Sequence, residues 1–422
     1  MPASAANSEG GWLGWLCLSR ASFALIFTAY SAAIPLLAPE WGMKASEAGL
    51  IQSAWHLGYL LSLFTVGFLA DRYGAKRVFL GAGVGASASA LVFALFADGF
   101  LSAAALYGLT GLFSGGSYTP GLTLISERFA SGKRGRAMGF YLAAASFGYA
   151  LALLFTGALT PHIGWRGAFL VNACGPLAGT LIALWALRVT PNVVHAAPAG
   201  REAPALPIPA VLGNKPVMYA IWAYAFHSWE MLGMKAWLPA FLAAAAMLSG
   251  SSATQAASLG AALTAITYFG SMAGSVAGGA LSDRVGRTWT MIFMSLLSIT
   301  CSFSFGWLIG LPIWVLVAVG ALYSFAAIGD SSVYSTAVTE LVPPRYIGAA
   351  YSVRSVLGFG AGALSPWVFG LVLDWTRAAE TSPLWMWGLA WSSIGVGALF
   401  GPLVAWRLRL MPEAAQMAGG KR

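Results

Sequence analysis

The sequence carries very few charged residues for its length. Only 9% of its 422 residues are Asp, Glu, Lys or Arg, whereas 58% are hydrophobic and the mean hydropathy is +0.74. A water-soluble domain has about 25% charged residues, so this chain lacks the polar side chains needed to cover a folded surface in water. Its composition excludes an ordinary soluble protein and predicts an integral membrane protein.

Cysteine and histidine are also scarce, with 3 Cys and 4 His. Because Cys17, Cys174 and Cys301 all fall in apolar stretches, they do not form a disulfide framework, and the histidines show no zinc-site spacing. The phosphate-loop pattern GxxxxGK[ST] is missing as well, which argues against ATP hydrolysis. We therefore expect no enzymatic activity, no metal site and no cofactor.

Apolar runs of roughly 20 residues, each long enough to cross a bilayer, recur along the whole chain. Backbone groups find no water in lipid, so such runs must be helices. The pattern predicts an all-α membrane protein with twelve transmembrane helices in two pseudo-symmetric six-helix bundles. The predicted segments are an N-terminal tail at 1–11, a first bundle at 12–188, a proline-rich linker at 189–216, a second bundle at 217–408 and a C-terminal tail at 409–422.

The net charge of +9 has an uneven distribution along the predicted topology. Most Lys and Arg residues fall in the even-numbered turns and the C-terminal tail, and only Lys44, Arg166 and Arg377 fall on the opposite side. This asymmetry follows the positive-inside rule and places both termini in the cytoplasm. We expect a lipid bilayer, in particular a bacterial inner membrane, as the partner of this chain, and no nucleic acid.

Two turns, half the chain apart, carry matching sequences: GFLADRYGAKR at Gly67–Arg77 and GALSDRVGR at Gly279–Arg287. Each lies between two apolar runs, so the repeat indicates a duplicated membrane unit. Glycine at the centre of each turn permits backbone angles that other residues avoid. The aspartate of each turn can interact with the positive N-terminus of a neighbouring helix.

These two turns resemble the signature motifs of the major facilitator superfamily of secondary transporters, and Gly164-Trp165-Arg166 resembles another feature of that family. The resemblance covers essentially the whole chain. It implies transport by alternating access, a small-molecule substrate, a coupling ion that we expect to be a proton, and a monomer. It also implies that the turns form a conformational latch, in which Asp71 contacts the far bundle and Asp283 the near one. The predicted latch residues are Gly67, Asp71, Arg72, Gly74, Arg77, Gly279, Asp283, Arg284, Gly286 and Arg287.

Ionisable side chains inside predicted spans are functional candidates, because burying a charge in a membrane is costly. With both histidines neutral, Arg20, Glu230, Lys235, Asp330 and Arg354 together carry a surplus positive charge, which suits an anionic substrate. Arg354 is the leading candidate for binding the anion, with Arg20 as a second countercharge. The alternatives are an ion pair between Arg354 and Asp330, and extension of Arg20 to the membrane surface.

Other residues complete the predicted substrate site. Tyr118, on span 4 (residues 100–126), and Tyr334, on span 10 (residues 311–337), each end a pair of tyrosines with the same spacing. Spans 4 and 10 line the central cavity in the superfamily. These tyrosines could instead belong to interfacial aromatic belts. Tyr141 occupies the position of Arg354 in the register of the repeat. His227 and Lys235 lie on span 7 (residues 217–243). The alternative for Lys235 is that its side chain extends to the outer membrane surface.

Proton coupling requires a group in the membrane that can gain and lose a proton. Glu230 lies near the middle of span 7, and Gly233 and Pro239 are expected to loosen the helix beyond it. Asp330 lies on span 10, at a depth similar to that of Arg354. His56 is a further candidate for this role. The alternatives are a buried ion pair between Glu230 and a basic residue, and histidines that serve only in packing.

The favoured prediction is a proton-coupled symporter of a small organic or inorganic anion. A proton-driven exporter of lipophilic or cationic compounds is the alternative, with Glu230 and Asp330 selecting the charge. Span 5 argues against it, because SFGYALALLFTG from Ser146 to Gly157 departs from the gxxxGPxxGG pattern of such antiporters. A third alternative is a sensor or assembly partner that uses the same fold without transporting anything.

Overall fold

The computed structural model of the chain describes residues 8–194, 208–343 and 346–421, and within them every regular element is helical, as predicted. Residues 1–7 of the predicted N-terminal tail and residues 195–207 of the predicted linker lie outside these ranges. The α-helices are α1 Glu9–Ala24, α2 Ala29–Glu40, α3 Ala45–Tyr73, α4 Ala75–Phe96, α5 Phe100–Ser114, α6 Thr119–Arg128, α7 Ser131–Ala186, α8 Ile208–Leu212, α9 Lys215–Leu248, α10 Ala253–Val285, α11 Arg287–Phe305, α12 Ile313–Gly329, α13 Ser331–Leu341, α14 Ile347–Ala378, α15 Pro383–Ala398 and α16 Phe400–Arg409.

Ten stretches of the described chain are long and apolar enough to cross a membrane. One of them, Arg136–Ala186, bends at Gly164, whose φ of +69° interrupts α7, so this stretch contains two predicted spans. Residues 100–128 supply one further predicted span, which is broken into α5 and α6. The described residues thus account for the twelve predicted spans.

The helices pack into two compact units. Of the described residues, the first unit contains those up to Met43 and from Ala54 to residue 194, and the second contains Lys44–Ser53 and those from Ile208 onward. Each unit has its own apolar core, centred on Phe79 and Tyr141 in the first unit and on Met291 and Tyr334 in the second. Helix α3 belongs to both units, because its first turns are grouped with the second unit and the rest with the first.

The corner at Gly164 is fixed by the two residues that follow it. The Trp165 indole Nε1 donates to Glu40 Oε2 at 2.5 Å. The Arg166 guanidinium donates to the carbonyl oxygens of Ala94, at 3.1 Å, and Ala97, at 3.0 Å. These carbonyls belong to the C-terminal end of α4, where the last carbonyl groups have no partner within the helix. The Gly-Trp-Arg sequence therefore stabilises both the corner of α7 and the end of a neighbouring helix.

Spans 4 and 10 are the interrupted ones, whereas span 7 is continuous. A 3₁₀ turn at Gly115–Ser117 separates α5 from α6, and Asp330 separates α12 from α13. The loosening expected at Gly233 and Pro239 produces no break, since both residues lie inside the 34-residue helix α9. Interrupted helices expose backbone groups at membrane depth, where transporters commonly place their binding sites. The two breaks therefore mark the candidate site within each unit.

Candidate functional site

Arg20 forms the centre of a cluster in the first unit. It lies on α1, its side chain is buried with 6% exposure, and its Nη1 donates to Ser117 Oγ at 2.5 Å. The guanidinium carbon lies 5.6 Å from the ring centroid of Tyr118 and 5.7 Å from that of Tyr141. Tyr59 on α3 completes the cluster with a hydrogen bond to Arg20. The alternative in which Arg20 extends to the membrane surface is therefore wrong.

The break in span 4 positions this cluster. The 3₁₀ turn ends at Ser117, which directs its hydroxyl to Arg20, while the Ser117 carbonyl oxygen accepts a hydrogen bond from the Tyr141 hydroxyl. Within the described chain, no carboxylate forms an ion pair with Arg20, and its buried Nε has no acceptor. A buried arginine retains its charge. The cluster thus offers one uncompensated positive charge and one free N–H donor.

The second unit contains two buried carboxylates instead. Glu230 on α9 accepts hydrogen bonds from Ser298 Oγ at 2.8 Å and from Ser302 Oγ at 2.6 Å. Ser302 also shares a 2.5 Å hydrogen bond with the Tyr323 hydroxyl. Glu230 is 3% exposed, and it takes part in none of the ion pairs among the described residues. The predicted alternative of a buried pair with Arg20 or Lys235 is therefore not found.

Asp330 forms the second part of this arrangement, at the break between α12 and α13. His227 Nδ1 lies 3.0 Å from Asp330 Oδ1, and the Tyr334 hydroxyl donates to Asp330 Oδ2 at 2.9 Å. The His227 Nε2 atom lies 2.8 Å from the Ser331 hydroxyl. Asp330 therefore pairs with His227, and the alternative of an ion pair with Arg354 is wrong.

The two carboxylates are joined through a single face of α11. Ser295 donates to Asp330 Oδ2 at 3.3 Å, and Ser298, one turn further on, donates to Glu230. The Ser298 hydroxyl also lies 3.1 Å from the Ser295 carbonyl oxygen. Hydroxyl groups both donate and accept hydrogen bonds. We call this set the serine–carboxylate network, defined by Glu230, Asp330, His227, Ser295, Ser298 and Ser302.

Arg354 lies on α14 and forms no ion pair with either carboxylate among the described residues. Its Nη1 donates to Ser335 Oγ at 2.5 Å, and its guanidinium stacks 4.2 Å from the Tyr224 ring centroid and 4.8 Å from that of Tyr351. Its buried Nε has no acceptor. Arg354 therefore resembles Arg20 in having aromatic neighbours, a serine partner and one free donor, but it is only half-buried.

The remaining predicted site residues have more ordinary surroundings. His56 is buried, with its ring 5.9 Å from that of Phe27 and 5.5 Å from that of Trp55. Lys235 is half-buried on α9, just over one turn after Glu230.

The two motif turns share a backbone conformation but differ in their ion pairs. Gly74 and Gly286 have φ values of +86° and +101°, which strongly favour glycine. In the second turn Arg287 binds Asp283 at 2.6 Å and Glu340 at 2.8 Å. The first turn has Ala75 after its glycine, and Asn192 instead bridges Tyr73 O and the Arg77 backbone N–H. Among the other predicted latch residues, Arg72 lies over Tyr73.

Sequence reasoning missed several residues of these sites. Arg20 and Glu230 carry charge and were found on that basis, whereas their partners are serines and tyrosines, which are common in apolar helices. Ser295, Ser298 and Ser302 recur every three or four residues, so they share one face of α11. That periodicity was the one available signal. The missed residues are Tyr59, Ser117, Ser295, Ser298, Ser302, Ser331, Ser335 and Glu340.

Helices that span a membrane, two compact units, an interrupted helix in each unit and buried ionisable groups define a polytopic membrane transporter. A family model described as the Major Facilitator Superfamily matches residues 16–366. The chain belongs to this superfamily, so it is a transporter and not an enzyme, and it acts on a small molecule in a membrane.

Several proteins of similar sequence are named as transporters. The chain is 28% identical to a probable 4-methylmuconolactone transporter of Cupriavidus pinatubonensis, covering 82% of this chain and 81% of that protein. It is 24% identical to a hexuronate transporter of Bacillus subtilis, covering 89% and 91%. A bacterial homologue of the human lysosomal transporter Spinster has a similar structure, with a TM-score of 0.72, 18% identity, and 94% and 96% coverage. At that identity the structural match shows the fold alone.

Proposed function

We propose that this protein is a proton-coupled symporter of small organic carboxylates. The observation that carries the proposal is the Arg20 cluster, in which a buried guanidinium faces serine and tyrosine hydroxyls with no carboxylate to neutralise it. A carboxylate substrate supplies the missing charge and can bind a guanidinium by two hydrogen bonds. The hexuronate named for one relative is a carboxylate, which supports this choice over inorganic anions.

The aromatic walls of the Arg20 cluster add a preference for the body of the substrate. Tyr118 and Tyr141 present ring faces beside the guanidinium, and Tyr59 places a further hydroxyl there. Tyrosines combine apolar surface with a hydrogen-bonding end. Such a site favours a small carboxylate whose body combines apolar and hydroxyl or carbonyl groups. Arg354, with Tyr224 and Tyr351, is a second cationic candidate for substrates with an additional polar group.

The serine–carboxylate network is the proposed site of proton coupling. Glu230 and Asp330 are buried carboxylates that accept hydrogen bonds from hydroxyl groups, and the one ion-pair contact to them among the described residues is that of His227 with Asp330. A proton can neutralise either carboxylate. Because neither acid forms an ion pair with Arg20 among the described residues, the Arg20 guanidinium can bind an anionic substrate. The cationic-substrate exporter would need an acid beside the substrate, and the Arg20 cluster contains none among the described residues.

Topology, latch and assembly complete the proposal. The distribution of basic residues supports a bacterial inner membrane with both termini in the cytoplasm, and the protein acts as a monomer.

The motif turns at residues 67–77 and 279–287 act as latches during alternating access, with Asp71 and Asp283 as their anionic ends. If so, Asp71→Asn lowers the transport rate in liposomes at unchanged expression, and full transport in this variant would contradict the latch role.

Substrate binding is tested by thermal unfolding of the purified protein with a panel of ligands. The panel compares galacturonate and benzoate with phosphate, sulfate and tetraphenylphosphonium at fixed pH. A ligand present at one hundred times its Kd stabilises the folded state by about 2.7 kcal/mol. We expect stabilisation by at least one carboxylate, its loss in Arg20→Gln, and its retention in Arg377→Gln, which removes an exposed arginine. Stabilisation by tetraphenylphosphonium alone would support the exporter and overturn the proposal.

A further inference from the structure

The first unit contains an apolar cavity that belongs to neither of the sites above. Its volume is about 480 Å³, and its walls come from α3, α4 and α5. Its apolar lining includes Leu69, Val78, Leu112 and Phe113. The volume is within the range of small-molecule binding sites, about 300–1,000 Å³. The cavity lies alongside the first motif turn rather than at the Arg20 cluster, so its occupant is a different ligand.

The polar groups of the cavity lie mainly at one end. Tyr73 and Arg77 line that end, where α3 ends and α4 begins, and both are exposed. Deeper in the cavity, the Thr65 hydroxyl donates to the Leu61 carbonyl of its own helix, and only Ser62 at the inner end keeps an unpartnered hydroxyl. The cavity therefore suits a long apolar group with a polar end at the motif turn.

The charge at this end is positive. Arg77 forms no ion pair among the described residues, and Arg72 and Lys76 lie on the same turn beside a single acid, Asp71, which does not line the cavity. Helices α3 and α4 are both candidate membrane spans that meet at this turn, so the turn lies at the level of the lipid headgroups. Anionic lipid headgroups attract basic side chains there.

The length of the cavity matches one leaflet. From Ser62 to Tyr73 along α3 the helical rise is about 16 Å, and half of the hydrocarbon core is about 15 Å. Leu61 and Phe68, on the neighbouring face of α3, are more than half exposed. Exposed apolar side chains of this kind are more stable in contact with lipid hydrocarbon than with water. Gly81 adds to the space, since nothing lies within 4 Å of where its Cβ would be.

We propose that this cavity binds one acyl chain of an anionic phospholipid, whose headgroup phosphate is bound by Arg77 with Lys76 and Arg72 nearby. The lipid is a structural ligand of the first motif turn and is distinct from the transported substrate. Lys76 already donates to the Thr190 carbonyl at 2.8 Å, so Arg77 is the principal phosphate partner. Bound lipid would hold α3, α4 and the turn between them together.

The test is native mass spectrometry of the full-length protein in detergent, titrated with phosphatidylglycerol and with phosphatidylcholine of identical acyl chains. We expect one tight phosphatidylglycerol site, with a preference over phosphatidylcholine of about fivefold for each basic side chain engaged. Arg77→Gln should reduce that preference by about fivefold, while Arg136→Gln, which removes another exposed arginine, should leave it unchanged. An unchanged preference in Arg77→Gln would overturn the proposal.

The cavity itself is tested by filling it. Gly81→Leu should weaken the binding of both lipids, whereas Gly139→Leu should not, because Gly139 is also an exposed helical glycine with open space around its Cβ position. Leu69→Gln provides a second test, since it places an amide in the apolar wall at an exposed position. Wild-type lipid binding in both Gly81→Leu and Leu69→Gln, with unchanged thermal unfolding, would exclude this cavity as the lipid site.

Discussion

The two units place opposite charges in equivalent surroundings. In the first unit the break in span 4 presents Ser117 and Tyr118 to a buried arginine, with no acid in the cluster. In the second, the break in span 10 presents Asp330 and Ser331 to a histidine, and Glu230 lies nearby on α9. One duplicated scaffold has therefore diverged into a cationic and an acidic site. Under the proposed function, the first unit would bind the anion and the second would carry the proton.

The largest effect is expected from Glu230→Gln, which removes an acid from the acidic site. Uptake driven by a pH gradient should fall to the level of empty liposomes, while exchange of labelled for unlabelled substrate continues, because Arg20 is untouched. Glu380→Gln, at an exposed position, is the control. Uptake in Glu230→Gln that still follows the pH gradient would show that this carboxylate does not couple protons.

A smaller effect is expected from Arg20→Lys, which keeps the charge of the cationic site but removes its planar fork of donors. An ammonium cannot bind Ser117 and a carboxylate in the same bidentate geometry. Losing one charge-assisted hydrogen bond costs about 1.5–3 kcal/mol, so the affinity for the carboxylate should fall by roughly 10- to 100-fold. Titration calorimetry measures this directly, and wild-type affinity would show that charge alone suffices.

Ser302→Ala tests whether the acidic site depends on its hydroxyl donors. The Glu230 carboxylate would lose its 2.6 Å hydrogen bond inside the second unit, at a cost of about 1–3 kcal/mol of folding free energy. The midpoint of thermal unfolding should fall accordingly. Ser304→Ala is the matched control, because Ser304 is exposed and its hydroxyl donates only to carbonyls of its own helix. Equal midpoints for the two variants would argue against a structural role of Ser302.

The smallest effect is expected at the motif turns, where among the described residues only the second turn has ion pairs to lose. Arg287→Ala removes bonds to Asp283 and Glu340, which are partly exposed, so the loss of stability should be about 1 kcal/mol or less. The loss should shrink at high salt, since exposed charges are screened. Arg72→Ala in the first turn, where the side chain lies over Tyr73, should show no such salt dependence.

Much of the fold could be predicted because it depends on local properties of the chain, namely the hydrophobicity of each segment and the positions of glycines. The hydrophobic runs predicted the helices. The repeated glycines at 74 and 286 predicted the turns, because a positive φ is costly for other residues. The helix breaks were placed less well. Pro239 was expected to loosen span 7, yet α9 continues past it without a break, and the interruptions occur at Gly115–Ser117 and Asp330.

The candidate sites were predictable only in part. Charge in an apolar span identified Arg20, Glu230 and Asp330, since each such residue needs compensation. Their partners could not be identified, because the choice between Arg354 and His227 for Asp330 depends on which helix faces reach it. A rotation of one residue is about 100° around a helix, which is enough to exchange one partner for another.

The sequence by itself therefore determined the environment, the helix count and the duplicated plan of this protein, because hydropathy and glycine conformations are local properties. Tertiary structure alone decided that Arg20 meets Ser117 with no acid among the described residues, and that Asp330 pairs with His227. It also decided that serines of α11 donate to both carboxylates, Ser295 to Asp330 and Ser298 and Ser302 to Glu230. These contacts join residues far apart in the chain. They depend on the packing of several helices at once, and no local pattern encodes that packing.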